Sequence, residues 1–352
     1  FGPMAGFVSS MLLWFGWAIL SDAAILVAMV ETISIAVPVL SEPIPRALFM
    51  VVLLSFLVFI NIRGVETGKR LYITNTIAKF VPLGMLLIFG VFAINIDNLK
   101  ITEWPTYEQI GASTLILIFA FSGAECALNA SGEIENPSRT VPRGVLLGMG
   151  SIFLLYLGLQ SVAQGVLGPE LANNTEAPLA AAAKEVFGEW GVNLLIIGGV
   201  ISIFSTLSGD ILVTPRVVFA SARDGNLPSF LAKVHPKFHT PYVSVIFFAI
   251  AMCLIAISGS FSVLAVLASG SILLIYAGVS LAVIKLRIRD GDPEEGQFKV
   301  PGRFIVPILS CAVIAWMLYQ MDNSEAMSIL ALVGFAIGLY IIRKYILKKK
   351  ND

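Results

Sequence analysis

The sequence predicts an all-α integral membrane protein, and two observations support that prediction. Apolar residues make up 57% of the 352 residues and charged residues only 13%, whereas a soluble domain needs charge over its whole surface. The charged residues are concentrated in short islands between apolar stretches of about 20 residues, the length that spans hydrocarbon as a helix. These stretches lack the alternation of a transmembrane strand.

Apolar windows separated by loop signals predict about ten transmembrane helices. The first and the sixth are longer than a perpendicular crossing needs, so we expect them to tilt or kink, the sixth around Pro215. The predicted spans are 4–37, 46–62, 71–94, 110–130, 142–167, 191–222, 241–258, 261–284, 304–321 and 326–346.

Lysine and arginine predict the orientation, because basic residues near span ends remain cytoplasmic. With these spans, 18 of the 23 basic residues fall on one side, and only Arg46, Lys100 and Lys184 fall on the other. Lys79 and Arg216 lie within spans. We therefore expect a multi-pass protein of the cell (plasma) membrane with a cytoplasmic C-terminus.

The composition also indicates which binding partners are not expected. The formal net charge is zero, both histidines lie in one loop, and the three cysteines are widely spaced in apolar stretches. We therefore expect no nucleic-acid partner, no metal site and no cofactor. The bilayer is the expected surrounding, and no covalent chemistry is implied.

Ionisable residues inside the predicted spans are the first candidates for a site. Each costs about 2.5–3.5 kcal/mol at mid-bilayer, so each requires a partner or a function. The alternative for every one of them is a buried structural ion pair. The five residues are Asp22, Glu31, Lys79, Glu125 and Asp210.

The stretch 119–125, Phe-Ala-Phe-Ser-Gly-Ala-Glu, predicts a local break in the fourth span. Gly123 weakens a helix, and Ser122 offers the backbone an alternative hydrogen bond. Broken helices at membrane depth line cavities, and their half-helix ends suit an amine or a carboxylate. A packing face of small residues would explain Gly123 without a ligand, but it would not explain Glu125.

Three motifs in this order resemble the amino acid/polyamine/organocation (APC) transporter superfamily. Phe1-Gly-Pro-Met-Ala-Gly-Phe is similar to the start of that family's third helix. Phe121-Ser-Gly-Ala-Glu, with the run 133–142 after it, resembles its sixth helix and the following loop. The run 216–228, ending Ala-Arg-Asp-Gly-Asn-Leu-Pro, is similar to the end of its eighth.

The resemblance implies a single transmembrane transporter domain with the leucine-transporter type of fold, which has two inverted five-helix repeats and two terminal helices. Residues 1–94 would be the remainder of the first repeat, 110–288 the second repeat and 304–347 the terminal helices. The family's first two helices have no counterpart in this chain. Since the first of them normally supplies half of the substrate contacts, we expect these helices to be needed for a complete site.

The resemblance also implies roles for individual residues. The break at Ser122 and Gly123 would offer backbone groups to the substrate, and Phe119 would cover the bound side chain. Glu125 would match an acid proposed to couple protonation to gating. Lys79 would match a lysine whose ammonium replaces sodium, although a lysine that reaches the cytoplasmic interface is the alternative.

Further residues refine the expected substrate and coupling ion. Ser205 and Thr206 would instead hold sodium, although hydroxyls inside a helix more often bond to the preceding turn. By spacing from the motifs, Asp210 would face the substrate side chain, and Ser21 and Asp22 would approach the same region. Two acids there would favour a cationic amino acid or a polyamine, and a structural ion pair is the alternative.

Together these features predict a secondary transporter of amino acids or related amines that works by alternating access and is proton-coupled, by symport or antiport. A sodium-coupled transporter of amino acids or polyamines is the first alternative. A non-transporting amino acid sensor of the same fold is the second. A channel would need a continuous polar lining, which isolated acids do not provide.

Overall fold

A computed structural model describes residues 1–63, 68–101, 103–124, 134–174, 177–292, 298–299 and 302–351. Within these ranges the regular structure is entirely helical, so the predicted all-α class is confirmed. The helices are α1 (Pro3–Met11), α2 (Leu20–Ser34), α3 (Pro43–Arg63), α4 (Gly68–Gly90), α5 (Tyr107–Phe121), α6 (Pro137–Leu167), α7 (Pro178–Phe187), α8 (Glu189–Val213), α9 (Pro215–Arg223), α10 (Tyr242–Ser258), α11 (Phe261–Asp290), α12 (Ile305–Tyr319) and α13 (Asn323–Asn351).

Each predicted span contains helix, although the fourth continues into residues outside the described part of the chain. By length and apolarity, 6 helical stretches among the described residues could cross a membrane, and shorter apolar helices of 10–17 residues accompany them. Helix α7 was not predicted. It lies between the predicted fifth and sixth spans, begins at Pro178 and buries Ala180, Ala182 and Ala183.

Both long spans are irregular. The first runs from Pro3 to Ser34 and contains a π-helical segment at Leu12–Ile19. The sixth is interrupted at Thr214, between α8 and α9. Pro215 has no backbone N–H, so the helical hydrogen-bond ladder cannot continue through it. The predicted irregularity around Pro215 is confirmed.

The chain forms two compact units. The first comprises Phe1–Ser21, Pro105–Ile152 and Ser262–Asp352. In this unit α1 packs on α13, and α5 packs on α12. Gly16 allows the π-helical segment to approach α11 closely, because a Cβ there would lie 2.7 Å from Ser271 Oγ. The core of the unit is apolar and consists of Leu115, Val266, Leu273, Ile314, Met321 and Ile329.

The second unit comprises Asp22–Trp104 and Phe153–Phe261. Helix α8 packs against α3, α4, α7, α9 and α10, which makes it the hub of this unit. Within α2, Ala23, Leu26, Val27 and Val30 are completely covered. The core beside α4 and α8 consists of Leu86, Leu159, Val162, Ala163, Ala180, Ala182, Ala183, Leu195 and Ile196.

Candidate functional site

Asp22 and Asp210 meet in the second unit. Asp22 lies in the first turn of α2 and Asp210 lies one turn before the end of α8, close enough for their carboxyl groups to interact electrostatically. Asp22 is only 3% exposed, whereas Asp210 is half-buried. No N–H or O–H donor in the described part of the chain reaches Oδ2 of Asp22. The two acids that spacing placed in one region are therefore neighbours.

Glu31 forms a structural ion pair with Arg46. Its Oε1 lies 3.3 Å from Nη2 of Arg46, which begins the next membrane segment. The two side chains are 34% and 26% exposed. This ion pair joins the end of α2 to the start of α3, so Glu31 has a structural role here and is not a site residue.

Lys79 is half-buried and lines a cavity of about 300 Å³ in the second unit. The cavity extends from Lys79 and Thr32 along α8 at Ser202 to Pro178 at the start of α7. The side chain thus lies in a cavity that reaches the loop which the charge pattern places outside. The coupling role of Lys79 stays a prediction.

The cavity around Lys79 is mostly apolar. Thr32 and Ser202 supply hydroxyl groups, and the hydroxyl of Thr32 donates to the carbonyl of Ala28 at 2.8 Å. None of the ion pairs between described residues includes Lys79. Sequence reasoning missed Thr32 and Ser202, because a hydroxyl inside an apolar span gives no signal of which neighbour it will face.

The candidate sodium ligands lie on α8. Thr206 is exposed, and its hydroxyl donates to the carbonyl of Ser202 at 3.1 Å. This is the bond to the preceding turn that competes with metal binding. Ser205 is half-buried on the same helix.

In the first unit, helical structure stops at the position where the break was predicted. Helix α5 begins with a capping box formed by Thr106 and Gln109 and ends at Phe121. Ser122 has an extended backbone, and Gly123 has φ +114°, a conformation that L side chains rarely adopt. The helix thus ends at the predicted residues, residues 125–133 lie outside the described part of the chain, and the substrate role stays a prediction.

Ser122 also satisfies part of the broken helix end. Its hydroxyl donates to the carbonyl of Phe119 at 2.8 Å, and its backbone N–H donates to the same oxygen at 3.3 Å. This is the side-chain alternative to helical hydrogen bonding that serine was expected to offer. The ring of Phe119 is half-buried, one turn before Gly123.

The structure adds little information about two of the predicted site residues, Ser21 and Glu125. Ser21 is buried in the first unit, at 8% exposure, directly before Asp22 along α2. Glu125 lies outside the described residues. The structure therefore brings the predicted residues together as Asp22 with Asp210, and as Phe119 with Ser122 and Gly123, while Lys79 lies in its own cavity.

The sequence profile of a family described as "Amino acid permease" matches residues 1–340. A methylthioribose transporter of Bacillus subtilis is 28% identical to this chain, over 82% of this chain and 62% of its own length. A branched-chain amino acid permease of the same organism is also 28% identical, over 85% and 63%. A serine/threonine exchanger, again from Bacillus subtilis, is 29% identical, over 86% and 69%. The chain thus spans less than two thirds of the first two relatives.

Proposed function

This chain belongs to the amino acid permease family, and we propose that it forms the larger part of a secondary transporter for amino acids or related amines. The observation that carries the proposal is the end of α5 at Ser122 and Gly123 within an apolar stretch. Non-helical backbone is tolerated at membrane depth where it is covered by protein or lines a cavity. In transporters such half-helix ends bind the charged groups of the substrate.

The substrate class follows from this backbone site and from the family. An amino acid carries an ammonium and a carboxylate, which the two kinds of half-helix end attract with opposite partial charges. Phe119 supplies an apolar surface one turn away for the substrate side chain. Two of the relatives are described as acting on amino acids, a branched-chain permease and a serine/threonine exchanger. The preference for a cationic side chain depends on Asp210, the more exposed member of the acidic pair.

Proton coupling is the proposed source of energy. Lys79 lies in an apolar cavity and takes part in none of the ion pairs between described residues. Lysine suits such a role, because its amine functions in proteins both with and without the proton. Sodium coupling has less support, since Thr206 already donates to its own helix. Glu125 is the second proposed proton carrier.

The transport proposal is tested by uptake into proteoliposomes that contain the full-length protein. A panel of labelled amino acids and amines is offered first with a proton gradient and then with a sodium gradient. Uptake driven by protons alone supports the proposal and identifies the substrate. If uptake requires sodium, the ion-coupling site is assigned to Ser205 and Thr206 instead of Lys79. Absence of both uptake and counterflow favours the sensor.

Lys79→Ala tests the coupling residue in the same liposomes. We expect proton-driven accumulation to fall to the level of equilibration, because the variant cannot carry the proton. The matched control is Lys100→Ala, which removes an exposed lysine paired with Asp97. If Lys79→Ala retains full proton-driven uptake with its usual pH dependence, the coupling role belongs elsewhere.

Gly123→Ala tests the substrate site. Alanine at φ +114° is strained whatever space surrounds it, so the backbone of the break must shift. We expect a weaker apparent substrate affinity. Gly144→Ala on α6 is the control, because its Cβ would meet nothing within 4 Å at an ordinary helical position. Equal affinity in both variants would remove the break from the substrate site.

The chain is an integral membrane protein, and the plasma membrane with a cytoplasmic C-terminus is our proposed location. The basic residues support this orientation. An epitope tag after residue 352 should become accessible to antibody only after the cells are permeabilised. Accessibility in intact cells would reverse the proposed topology.

A further inference from the structure

An apolar groove lies between α3 and α10 in the second unit, and the proposed transport mechanism does not use it. Its volume is about 420 Å³, which lies within the range of ligand pockets, about 300–1,000 Å³. Three of its lining side chains are small, namely Ser55 on α3 and Ala249 and Cys253 on α10. Beside them, Ile250 and Leu254 are 55% and 64% exposed. The groove, which we call the α3–α10 groove, therefore suits an apolar occupant.

The length of the α3–α10 groove matches one leaflet of a bilayer. Its lining residues on α10 begin at Ile246 and end at Ile257. At the rise of an α-helix these two residues are about 16 Å apart along the axis. The hydrocarbon of one leaflet is about 15 Å thick, which is half of the membrane core. One extended acyl chain of a phospholipid can therefore follow the groove over its whole length.

The end of α3 and the start of α10 lie together at one end of this groove. Helix α3 ends at Arg63, and α10, which packs on it, begins at Tyr242. The hydroxyl of Thr240 donates to the carbonyl of Ile62 at 2.8 Å, so the loop before α10 is joined to the end of α3. In the same loop, the ring of His235 contacts that of Tyr242 edge to face, with centroids 5.6 Å apart. The loop therefore borders this end of the groove.

This end of the groove is positively charged. Arg63, Lys233 and Lys237 are exposed, and none of the ion pairs between described residues includes them. The guanidinium of Arg63 lies 4.1 Å from the ring centroid of Phe59, and the ammonium of Lys237 lies 5.6 Å from that of Phe238. Cation–π contacts of this kind hold a cation against an apolar surface. The positive charge is thus placed where the apolar groove ends.

The basic residues around the end of α11 provide a comparison. Arg289 pairs with Asp290 at 2.6 Å, and Lys299 pairs with Asp292 at 2.5 Å. That region of the chain compensates its own positive charge, whereas the end of the α3–α10 groove has charge available for an external anion. Basic residues directly beside a membrane segment attract anionic lipid headgroups.

We propose that the α3–α10 groove binds one anionic phospholipid, with an acyl chain along Ser55 and Cys253 and the phosphate held by Arg63 and Lys237. An arginine guanidinium can donate two parallel hydrogen bonds to a phosphate, and a lysine adds a compact positive charge. The bound lipid bridges α3 and α10. This site does not depend on the proposed transport function, because it requires only that the chain lies in a membrane.

The headgroup is tested by native mass spectrometry of the full-length protein released from detergent. Phosphatidylglycerol and phosphatidylcholine with identical acyl chains are titrated in turn. We expect one retained phosphatidylglycerol, bound roughly 25-fold more tightly than phosphatidylcholine, because each basic residue contributes about fivefold. Arg63→Gln and Lys237→Gln should each weaken the binding of phosphatidylglycerol about fivefold.

Arg139→Gln is the matched charge control. Arg139 is an exposed basic residue at the start of α6, on the side that the charge pattern also assigns to the cytoplasm. We expect this variant to bind phosphatidylglycerol like the parent. An effect as large as that of Arg63→Gln would mean that the lipid responds to the general surface charge, and this result would overturn the proposed site. Equal retention of the two lipids by the parent would overturn it as well.

The acyl chain is tested by filling the groove. Ser55 is exposed, so Ser55→Trp adds a large side chain within the groove without burying it in the core. We expect the retained phosphatidylglycerol to be lost. The control is Ser151→Trp on α6, at an exposed serine whose hydroxyl donates to the carbonyl of Leu147, and it should retain the lipid. Retention by both variants would contradict an acyl chain in the groove.

Two further outcomes would assign the groove or its charged end to another occupant. Glycerol 3-phosphate carries the same phosphate without acyl chains, so binding as tight as that of the lipid would indicate a site for free phosphate. Protein dimers that disappear in Ser55→Trp would indicate a second copy of the chain in the groove. The lipid titration needs neither substrate nor ion gradient. Its result therefore stands even if the uptake experiment refutes transport, and a transporting protein without lipid selectivity refutes only the lipid site.

Discussion

The close packing of α4 on α8 predicts a large difference between two glycines of one helix. Gly198 lies against Pro82 of α4, and a Cβ at Gly198 would be 2.7 Å from Cγ of that ring. Gly209, on the same helix, would place a Cβ with nothing within 4 Å. A proline ring cannot rotate away as a flexible side chain does, so the helices must separate when Gly198 becomes alanine.

The magnitude follows from comparing the two variants. Alanine is better than glycine in a helix by about 1 kcal/mol, and both variants gain this amount. Overpacking of a close contact costs about 1–3 kcal/mol, and only Gly198→Ala incurs it. We therefore expect Gly198→Ala to be less stable than Gly209→Ala by about 1–3 kcal/mol. At about 2 °C per kcal/mol for a long chain, the apparent Tm should differ by roughly 2–6 °C.

The assay is thermal unfolding of the purified protein in detergent, followed by the intrinsic tryptophan fluorescence. A double-mutant cycle with Pro82→Ala supplies the decisive comparison, because removing the ring opens space for the new methyl group. We expect the cost of Gly198→Ala to shrink by about 0.5–3 kcal/mol in the Pro82→Ala background. Equal Tm values for the two single variants, or no coupling in the cycle, would refute this account of the helix contact.

Two other contacts give smaller expected effects in the same unfolding assay. Thr240→Val removes the hydrogen bond from the Thr240 hydroxyl to the carbonyl of Ile62, which is 2.8 Å long and half-buried, so we expect a loss of about 1 kcal/mol. Glu31→Gln removes the partly exposed ion pair with Arg46, so we expect a loss of about 0.5–1 kcal/mol that falls with added salt.

Each of these changes has a matched comparison. Thr114→Val removes an exposed hydroxyl that donates only to its own helix, so its Tm should stay close to that of the parent. If Thr114→Val lowers the Tm as much as Thr240→Val does, the loss in Thr240→Val cannot be attributed to its hydrogen bond with the carbonyl of Ile62. For the ion pair, Arg46→Gln should have no further effect once Glu31 is already Gln, and additive losses would mean that the two residues act independently.

The sequence predicted the helical segments because local chemistry determines them. In hydrocarbon every backbone polar group needs a partner within its own segment, so an apolar stretch of spanning length has few alternatives to a helix. The same reasoning anticipated the interruption at Pro215 and the break at Ser122 and Gly123, since proline lacks a donor and glycine tolerates positive φ. Helix α7 was missed because a search for membrane spans passes over a segment of 10 residues, although its alanines and the proline at its start are ordinary helix signals.

The sequence by itself determined the class of protein, the positions of its spans and the types of residue that carry charge in the membrane. Only the tertiary structure decided which of these residues meet. Glu31 forms an ion pair with Arg46, Asp22 lies near Asp210, and Lys79 lines a cavity. Composition alone does not distinguish these outcomes. The physical reason is that a helix fixes the direction of a side chain, whereas its partner depends on how helices pack, through contacts such as Gly198 on Pro82 that involve residues far apart in the chain.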